Sequence, residues 1–329
     1  MQSRPFIVAE MSANHLGSIN RAVQICEAAH KAGADAVKLQ VWSPELMVGD
    51  PGAVVESGPW KGRRMVELYR EAFLPWDWVA DLMLCCDGLG IECFATAFDL
   101  PALTFLERLG VRRHKISSFE IVDLELVRAA AATGKPLILS TGMADQFDIN
   151  RAINAVARQA PVTLLHCVSA YPCQPEDSNL RRMQALKEQF PVDVGLSDHS
   201  RGIGVAAAGA ALGASMIEKH LTLSRADGGP DAAFSLEPDE FSAMAEVCRD
   251  AWKAVWHLAS PRVGDEHQHL RRSLWFARDC KAGQVLDRED LQCSRPGHGL
   301  PPRTLHALLG ATLAHDKQAG SPVTWEDVL

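Results

Sequence analysis

Short apolar runs alternate with amphipathic stretches from Phe6 to about His257. The runs at 6–11, 36–41, 92–98, 113–117, 137–141, 163–168, 193–197 and 216–221 predict β-strands. Between and after them, apolar positions recur at helical spacing over 20–32, 76–89, 100–109, 123–132, 146–158, 180–190, 202–212 and 239–256. Repeated strand–helix units over roughly 250 residues fit an α/β fold, a TIM (β/α)8 barrel. A doubly wound sheet is the alternative, but no G-x-G-x-x-G follows the first strand. Several helices close on a small residue and then a glycine, as at Gly33, Gly110, Gly134 and Gly213. The connection at 42–75 is long for a barrel, and long strand-to-helix loops usually shape an active site.

Beyond His257 the pattern changes. The barrel is expected over 1–258, a polar linker over 259–272 and a small β-rich domain over 273–329. That last domain carries a repeat, 282–291 against 319–328. Each copy has a Gly turn, an apolar residue, an Asp or Thr able to cap a helical turn, and acids inside that turn. Its core is small for a free-standing domain.

Composition narrows the classes. With 329 residues, 47% of them apolar, the chain can bury a sizeable core. The net charge of −8 argues against nucleic acid or an anionic membrane as partner, though a few lysines in a cleft still suit an anionic ligand. The N-terminal stretch has no charged segment leading into an apolar one, and no long apolar span occurs, so a cytoplasmic setting is expected. None of the nine cysteines forms a C-x-x-C pair, which favours buried reduced thiols.

Every predicted strand ends in groups able to bind or ionise: Glu10, Lys38 with Gln40, Thr96, Lys115 with Ser118, Ser140, His166 with Ser169, Ser197 with His199, and Glu218 with Lys219 and His220. A satisfied polar residue accounts for any one of these; eight in a ring point to catalysis. Lys38, Lys115 and Lys219 lie in or at the ends of apolar strands, where a lysine is costly unless it meets an anion. Hydroxyls at Thr96, Ser118, Ser140 and Ser197 would help to hold a phosphate or carboxylate. Internal Lys–Glu pairing competes with that reading and best explains Lys219 beside Glu218. His199 and His220, on neighbouring strands, suit a divalent transition metal, while core histidines bonded to carbonyls explain them equally well. His15 and His166 carry no clear assignment, and His267 and His269 are read as solvated. Asp231, in the Gly-rich loop after the last strand, is a candidate for hydrogen-bonding substrate hydroxyls.

The segments Ala9-Glu10-Met11-Ser12-Ala13-Asn14-His15, Gly33-Ala34-Asp35-Ala36-Val37-Lys38-Leu39-Gln40, His114-Lys115-Ile116-Ser117-Ser118, Leu139-Ser140-Thr141-Gly142-Met143, Gly195-Leu196-Ser197-Asp198-His199 and Ile217-Glu218-Lys219-His220 carry a resemblance. In them the chain resembles the sialic acid synthases, the phosphoenolpyruvate-dependent nonulosonic acid synthases, over nearly its whole length. Residues 273–329 look like that family's SAF, or antifreeze-protein-like, domain. Trp60-Lys61-Gly62-Arg63, Leu68-Tyr69, Pro75-Trp76-Asp77-Trp78 and Phe234-Ser235-Leu236-Glu237-Pro238 are more similar to the pseudaminic acid branch. The N-acetylneuraminate, legionaminic acid and spore-coat polysaccharide branches are the alternatives.

The resemblance implies a metal-dependent condensation of phosphoenolpyruvate with an N-acylated amino sugar. Lys38, Thr96, Lys115, Ser118, Ser140, Ser169 and Ser197 would then hold phosphoenolpyruvate; Ser169 departs from the family's usual Asn. His199 and His220 would bind the metal, normally Mn²⁺, and Glu10 would act on a water or a hydroxyl proton. Glu10, Tyr171, Asp231 and Arg295 would face the sugar, with Arg295 arriving from the neighbouring subunit of a domain-swapped homodimer. A related aldol enzyme for a sugar phosphate, such as a deoxy-octulosonate phosphate synthase, would need more basic residues and no SAF domain. A non-catalytic carbohydrate-binding protein is the rival of a different class.

Overall fold

In the computed structural model, residues 3–256 and 265–329 are described. The first part of the expected linker, 259–264, lies outside the described residues. Contacts divide the chain into two units, Met1–His257 and Leu258–Leu329.

In the first unit eight strands close a parallel barrel: β1 (Phe6–Glu10), β2 (Ala36–Val41), β3 (Glu92–Ala97), β4 (His114–Ile116), β5 (Leu137–Ser140), β6 (Val162–His166), β7 (Asp193–Asp198) and β8 (Met216–His220). The last strand returns to the first, with Phe6 paired to Met216 and Glu10 to His220. The helices are α1 (Ile19–Lys31), α2 (Met65–Ala72), α3 (Trp76–Leu89), α4 (Leu100–Leu109), α5 (Leu124–Ala132), α6 (Gln146–Val156), α7 (Arg181–Gln189), α8 (Gly204–Ala211) and α9 (Pro238–Trp256). This is the TIM-barrel architecture that the strand–helix alternation predicts. Helix α2 is an addition inside the long loop after β2. Its amphipathic pattern buries no residue, so it lacks the core-facing stripe of the other helices. Among the described residues no helix is long and apolar enough to cross a membrane.

The side-chain alternation of a strand explains where the barrel's chemistry sits. Val8, Ala36, Phe94, Ile138, Leu165 and Met216 form an apolar plug of their own, distinct from the strand–helix core. Two residues further along the same strands come Glu10, Lys38, Thr96, Ser140, Cys167 and Glu218. The next interior layer is therefore polar and rests on that plug. Gly195 lets the plug pack closely against its strand: a Cβ there would lie 2.6 Å from the Met216 carbonyl oxygen and 2.7 Å from a Leu165 methyl. The residues of opposite parity, such as Ile7, Ala9, Val37, Leu39, Leu137 and Ile217, join the core packed against the helices.

In the second unit β9 (Ser273–Phe276) pairs antiparallel with β10 (Leu291–Ser294), and α10 (Leu305–Leu308) closes a small core of Leu274, Phe276, Leu286, Leu308, Leu313 and Val323. The sequence repeat is a repeated turn. The buried Asp290 carboxylate accepts from the Asp287 N–H at 2.8 Å, and the buried Asp327 carboxylate accepts from the Thr324 N–H at 2.7 Å. Part of the expected linker is ordered: Asp265–Leu270 forms a 3-10 helix, with His267 and His269 exposed as expected.

Candidate active site

A cavity of about 280 Å³ opens at the C-terminal ends of the strands. Its lining brings together Glu10, Lys38, Thr96, Lys115, Ser118, Ser140, Tyr171, Ser197, His199, His220 and Asp231, eleven of the thirteen residues proposed from sequence. Ser169 does not line it. The Ser169 hydroxyl lies 3.0 Å from that of Ser118 and so close to Gly142 that a Cβ there would come within 2.3 Å of it. Arg295, in the second unit, is exposed and donates from Nε to the Leu270 carbonyl at 2.6 Å.

The floor is an ionic cluster. Lys38 Nζ meets Glu10 Oε2 at 2.7 Å, the Thr96 hydroxyl at 2.9 Å and Glu218 Oε1 at 3.6 Å. Lys115 Nζ reaches both Glu218 oxygens, at 3.3 and 3.2 Å, and Ser197 donates to Glu218 Oε1 at 3.0 Å. Gln40 donates to Glu10 Oε1 at 2.8 Å.

Internal pairing is thus present at all three lysines, but the glutamate partners belong to Lys38 and Lys115, and Lys219 pairs with Asp198 instead of Glu218. Strand parity is the reason. Lys219 points out of the barrel with Asp198, to which it pairs at 2.7 Å, and does not line the cavity. Glu218 points in. Burial opposes its ionisation, yet the two ammonium groups and the Ser197 hydroxyl hold its carboxyl down at about 2. Burial pushes Glu10 the other way, up to about 7, against the pull of Lys38. Two cations, one firm anion and one carboxyl able to release a proton near neutrality leave the floor receptive to an anion.

His199 and His220 stand on the neighbouring strands β7 and β8, ring centroids 5.7 Å apart. Burial lowers the basicity of both, so both are neutral imidazoles. His199 Nδ1 lies 2.9 Å from the Val168 carbonyl and so carries the proton, leaving Nε2 as an acceptor 3.4 Å from the Ser197 hydroxyl. His220 Nδ1 is buried and has no hydrogen-bond partner. Two neutral rings, one with a lone pair fixed by its tautomer and one with an unpartnered nitrogen, fit a divalent transition metal. Among the described residues no group of three or more His, Cys, Asp or Glu is arranged to hold a metal. Such an ion would need water or substrate oxygens as its other ligands.

The other three buried histidines are structural: His114 Nε2 lies 2.7 Å from a Glu107 carboxylate oxygen. His15 Nε2 lies 3.4 Å from the Ala72 carbonyl, and His166, of outward parity, lies 2.8 Å from that of Ser178. Asp231 accepts from the Ser12 hydroxyl and from the Ala13 N–H.

Three further lining residues received no role from the sequence: Glu218 and Gln40, which appear there only as polar strand ends, and Ser12; the period of two, counted from Lys38 and His220, places the first two in the barrel. The long loop, expected to shape the site, supplies an aromatic and apolar wall of Trp42, Val55, Trp60, Met65, Leu68 and Tyr69, of which the sequence singles out only Trp60, Leu68 and Tyr69, and those as marks of one branch. Its apolar residues have no strand register to announce them. The nine cysteines are free thiols, seven of them buried.

The NeuB family model matches residues 25–258, and the SAF domain model matches residues 271–329. The chain is 37% identical to the pseudaminic acid synthase of Helicobacter pylori, in an alignment covering 100% of this chain and 99% of the relative. It is 33% identical to the N,N'-diacetyllegionaminic acid synthase of Legionella pneumophila, over 98% of this chain and 94% of that one. Among solved structures, the N-acetylneuraminic acid (sialic acid) synthetase of Leptospira borgpetersenii superposes with a TM-score of 0.74 at 33% identity, covering 81% of this chain and 90% of that one.

Proposed function

The chain belongs to the NeuB family and carries a SAF domain after its barrel, and from that membership we propose that it condenses phosphoenolpyruvate with an N-acylated amino sugar. The products are phosphate and a nine-carbon sialic-acid-like sugar. The acceptor is the open-chain form of 2,4-diacetamido-2,4,6-trideoxy-altrose, which makes the product pseudaminic acid. The observation that carries this reading is the buried Lys38–Lys115 cluster, ringed by hydroxyls, beside two neutral histidines.

Lys38 and Lys115 bind the phosphate and carboxylate of phosphoenolpyruvate, with Thr96, Ser118, Ser140 and Ser197 donating hydrogen bonds. Ser169 supports Ser118 from behind instead of touching the ligand. C3 of phosphoenolpyruvate attacks the aldehyde carbon of the sugar. C2 then takes up water and the C2–O bond to phosphate breaks, leaving a 2-keto acid. Glu10, with its carboxyl near 7 and Gln40 fixing its orientation, is suited to take a proton from that water or to hand one to the sugar oxygen. His199 and His220 would hold a divalent cation, Mn²⁺ by the family resemblance, which supplies Lewis-acid polarisation of the aldehyde oxygen when bound. Tyr171 and Asp231 orient the sugar. The exposed Arg295 completes the sugar site of a second copy in a domain-swapped homodimer.

A phosphate-release assay tests this reading. Purified protein with Mn²⁺ and phosphoenolpyruvate is offered N-acetylmannosamine and the 2,4-diacetamido-2,4,6-trideoxy hexoses in turn. The altrose isomer should give the highest kcat/KM. Faster turnover of N-acetylmannosamine or of the legionaminic acid precursor would move the chain to that branch, and no release with any of them would favour a carbohydrate-binding protein.

A further inference from the structure

The segments that tie the chain to one branch of the resemblance lie far apart in sequence, and the chemistry above uses none of them. In the barrel, Trp60, Leu68, Tyr69 and Phe234 line one cavity. Residues 53–65 form a hairpin-like strap: Val54 bridges Arg64 antiparallel, the Val55 N–H donates to the Arg63 carbonyl at 2.9 Å, and the Gly62 N–H donates to that of Val55 at 2.8 Å. Trp60 is near its tip. The indole N–H donates to the Pro230 carbonyl at 2.8 Å. The strap therefore runs from the loop after β2 to the loop after β8, across the end of β1.

Under that latch the aromatic rings form a corner. Trp60 lies 5.4 Å from Tyr171 and 6.1 Å from Phe234, centroid to centroid, and Phe234 lies 5.0 Å from both Tyr171 and His220. With the indole N–H bound to Pro230, Trp60 and Phe234 turn only apolar surface toward a ligand, and the polar groups of the corner belong to Tyr171, Asp231 and His220 beside them. A sugar hydroxyl seated against Trp60 and Phe234 would lose its water without replacement, whereas a methyl group would bury apolar surface. Resting on the reaction proposed above, we propose that Trp60 and Phe234 determine specificity by reading the C6 end of the acceptor, favouring a 6-deoxy sugar over its 6-hydroxy counterpart. An apolar pocket discriminates against an added hydroxyl by at most about 100-fold, so a preference of ~10- to 100-fold is expected.

The test compares kcat/KM for the 2,4-diacetamido-2,4,6-trideoxy sugar with that for the same configuration bearing a 6-hydroxyl, by phosphate release. Trp60→Ala should cut the wild-type preference about tenfold, chiefly by raising KM for the 6-deoxy sugar, and leave KM for phosphoenolpyruvate within about twofold. Trp60→Phe keeps an apolar face and should retain most of the preference. Phe234→Tyr, which adds a hydroxyl to the corner without removing the ring, should improve relative use of the 6-hydroxy sugar; it serves also if Trp60→Ala does not fold. An active wild type whose preference is unchanged in Trp60→Ala or Phe234→Tyr, or whose two sugars lose activity equally, overturns the wall alone. A wild type that releases no phosphate with any acetamido sugar overturns the reaction, and the wall with it.

Discussion

Glu218 lies between the ammonium groups of Lys38 and Lys115, all three side chains at most 5% exposed. Removing one partner from a buried ionic group leaves the others unpaired, at about 3–5 kcal/mol. Glu218→Gln should therefore lower thermal stability clearly, and phosphate or phosphoenolpyruvate should restore more of it than either adds to the wild type, because an anion then supplies the missing negative charge. Differential scanning fluorimetry with and without ligand reads this; an unchanged melting temperature in the unliganded variant would refute the role. The same residue shows what was legible at this scale. Lys38 and Lys115 stood out because lysine in an apolar strand demands an explanation. Glu218 and Lys219 are neighbours, and composition cannot tell which enters the barrel. Only register decides: His220 and Glu218 share a face, and Lys219 joins Asp198 on the other. The pairing of lysine with glutamate was anticipated, but its members were settled by parity.

The turn repeated in the second unit gives the element scale its own prediction. Burial opposes ionisation of Asp290, but the Asp287 N–H, the Arg278 guanidinium and the Cys280 thiol hold its carboxyl below the ordinary range. A carboxyl depressed by folding contributes stability that is complete above its unfolded pKa, near 4, and is lost as pH falls through the folded value. Amide hydrogen exchange in Leu258–Leu329 should accordingly stay slow down to about pH 4 and accelerate below it. Asp290→Asn should exchange faster at neutral pH and show a flatter acid profile; an unaltered profile would refute the role of this carboxylate. The repeat was visible because capping needs particular residues at fixed offsets. Helix α2 and the strap were not legible as elements for the opposite reason, although their loop was expected to shape the site. Their apolar positions face a cavity rather than a core, and in a sequence they look like an irregular loop with a few stray hydrophobic residues. Strands and core-facing helices were readable to within a residue or two, since burial on fixed periods leaves a pattern.

At the scale of the molecule, the proposed homodimer makes a prediction that no single chain can satisfy. If Arg295 completes the site of another copy, Arg295→Ala and Glu218→Gln should each be impaired as pure proteins. Mixed by unfolding and refolding together, they should regain activity, because a heterodimer unites one intact floor with one intact arginine. Absence of recovery at any mixing ratio would mean that each chain supplies its own Arg295 or needs none. The barrel itself was legible because eight strand–helix units leave few alternatives, whereas the assembly rests on surfaces whose residues follow no period. The strap carries a consequence of a different kind. The lysine floor lies deep, and Trp60 bridges the rim from the loop after β2 to the loop after β8. A molecule seated beneath Trp60 covers whatever rests on the floor. If the anion and the sugar proposed above share this cavity, they form a queue: the anion has to arrive before the sugar, and an anion released in the depths has to wait for the rim to clear.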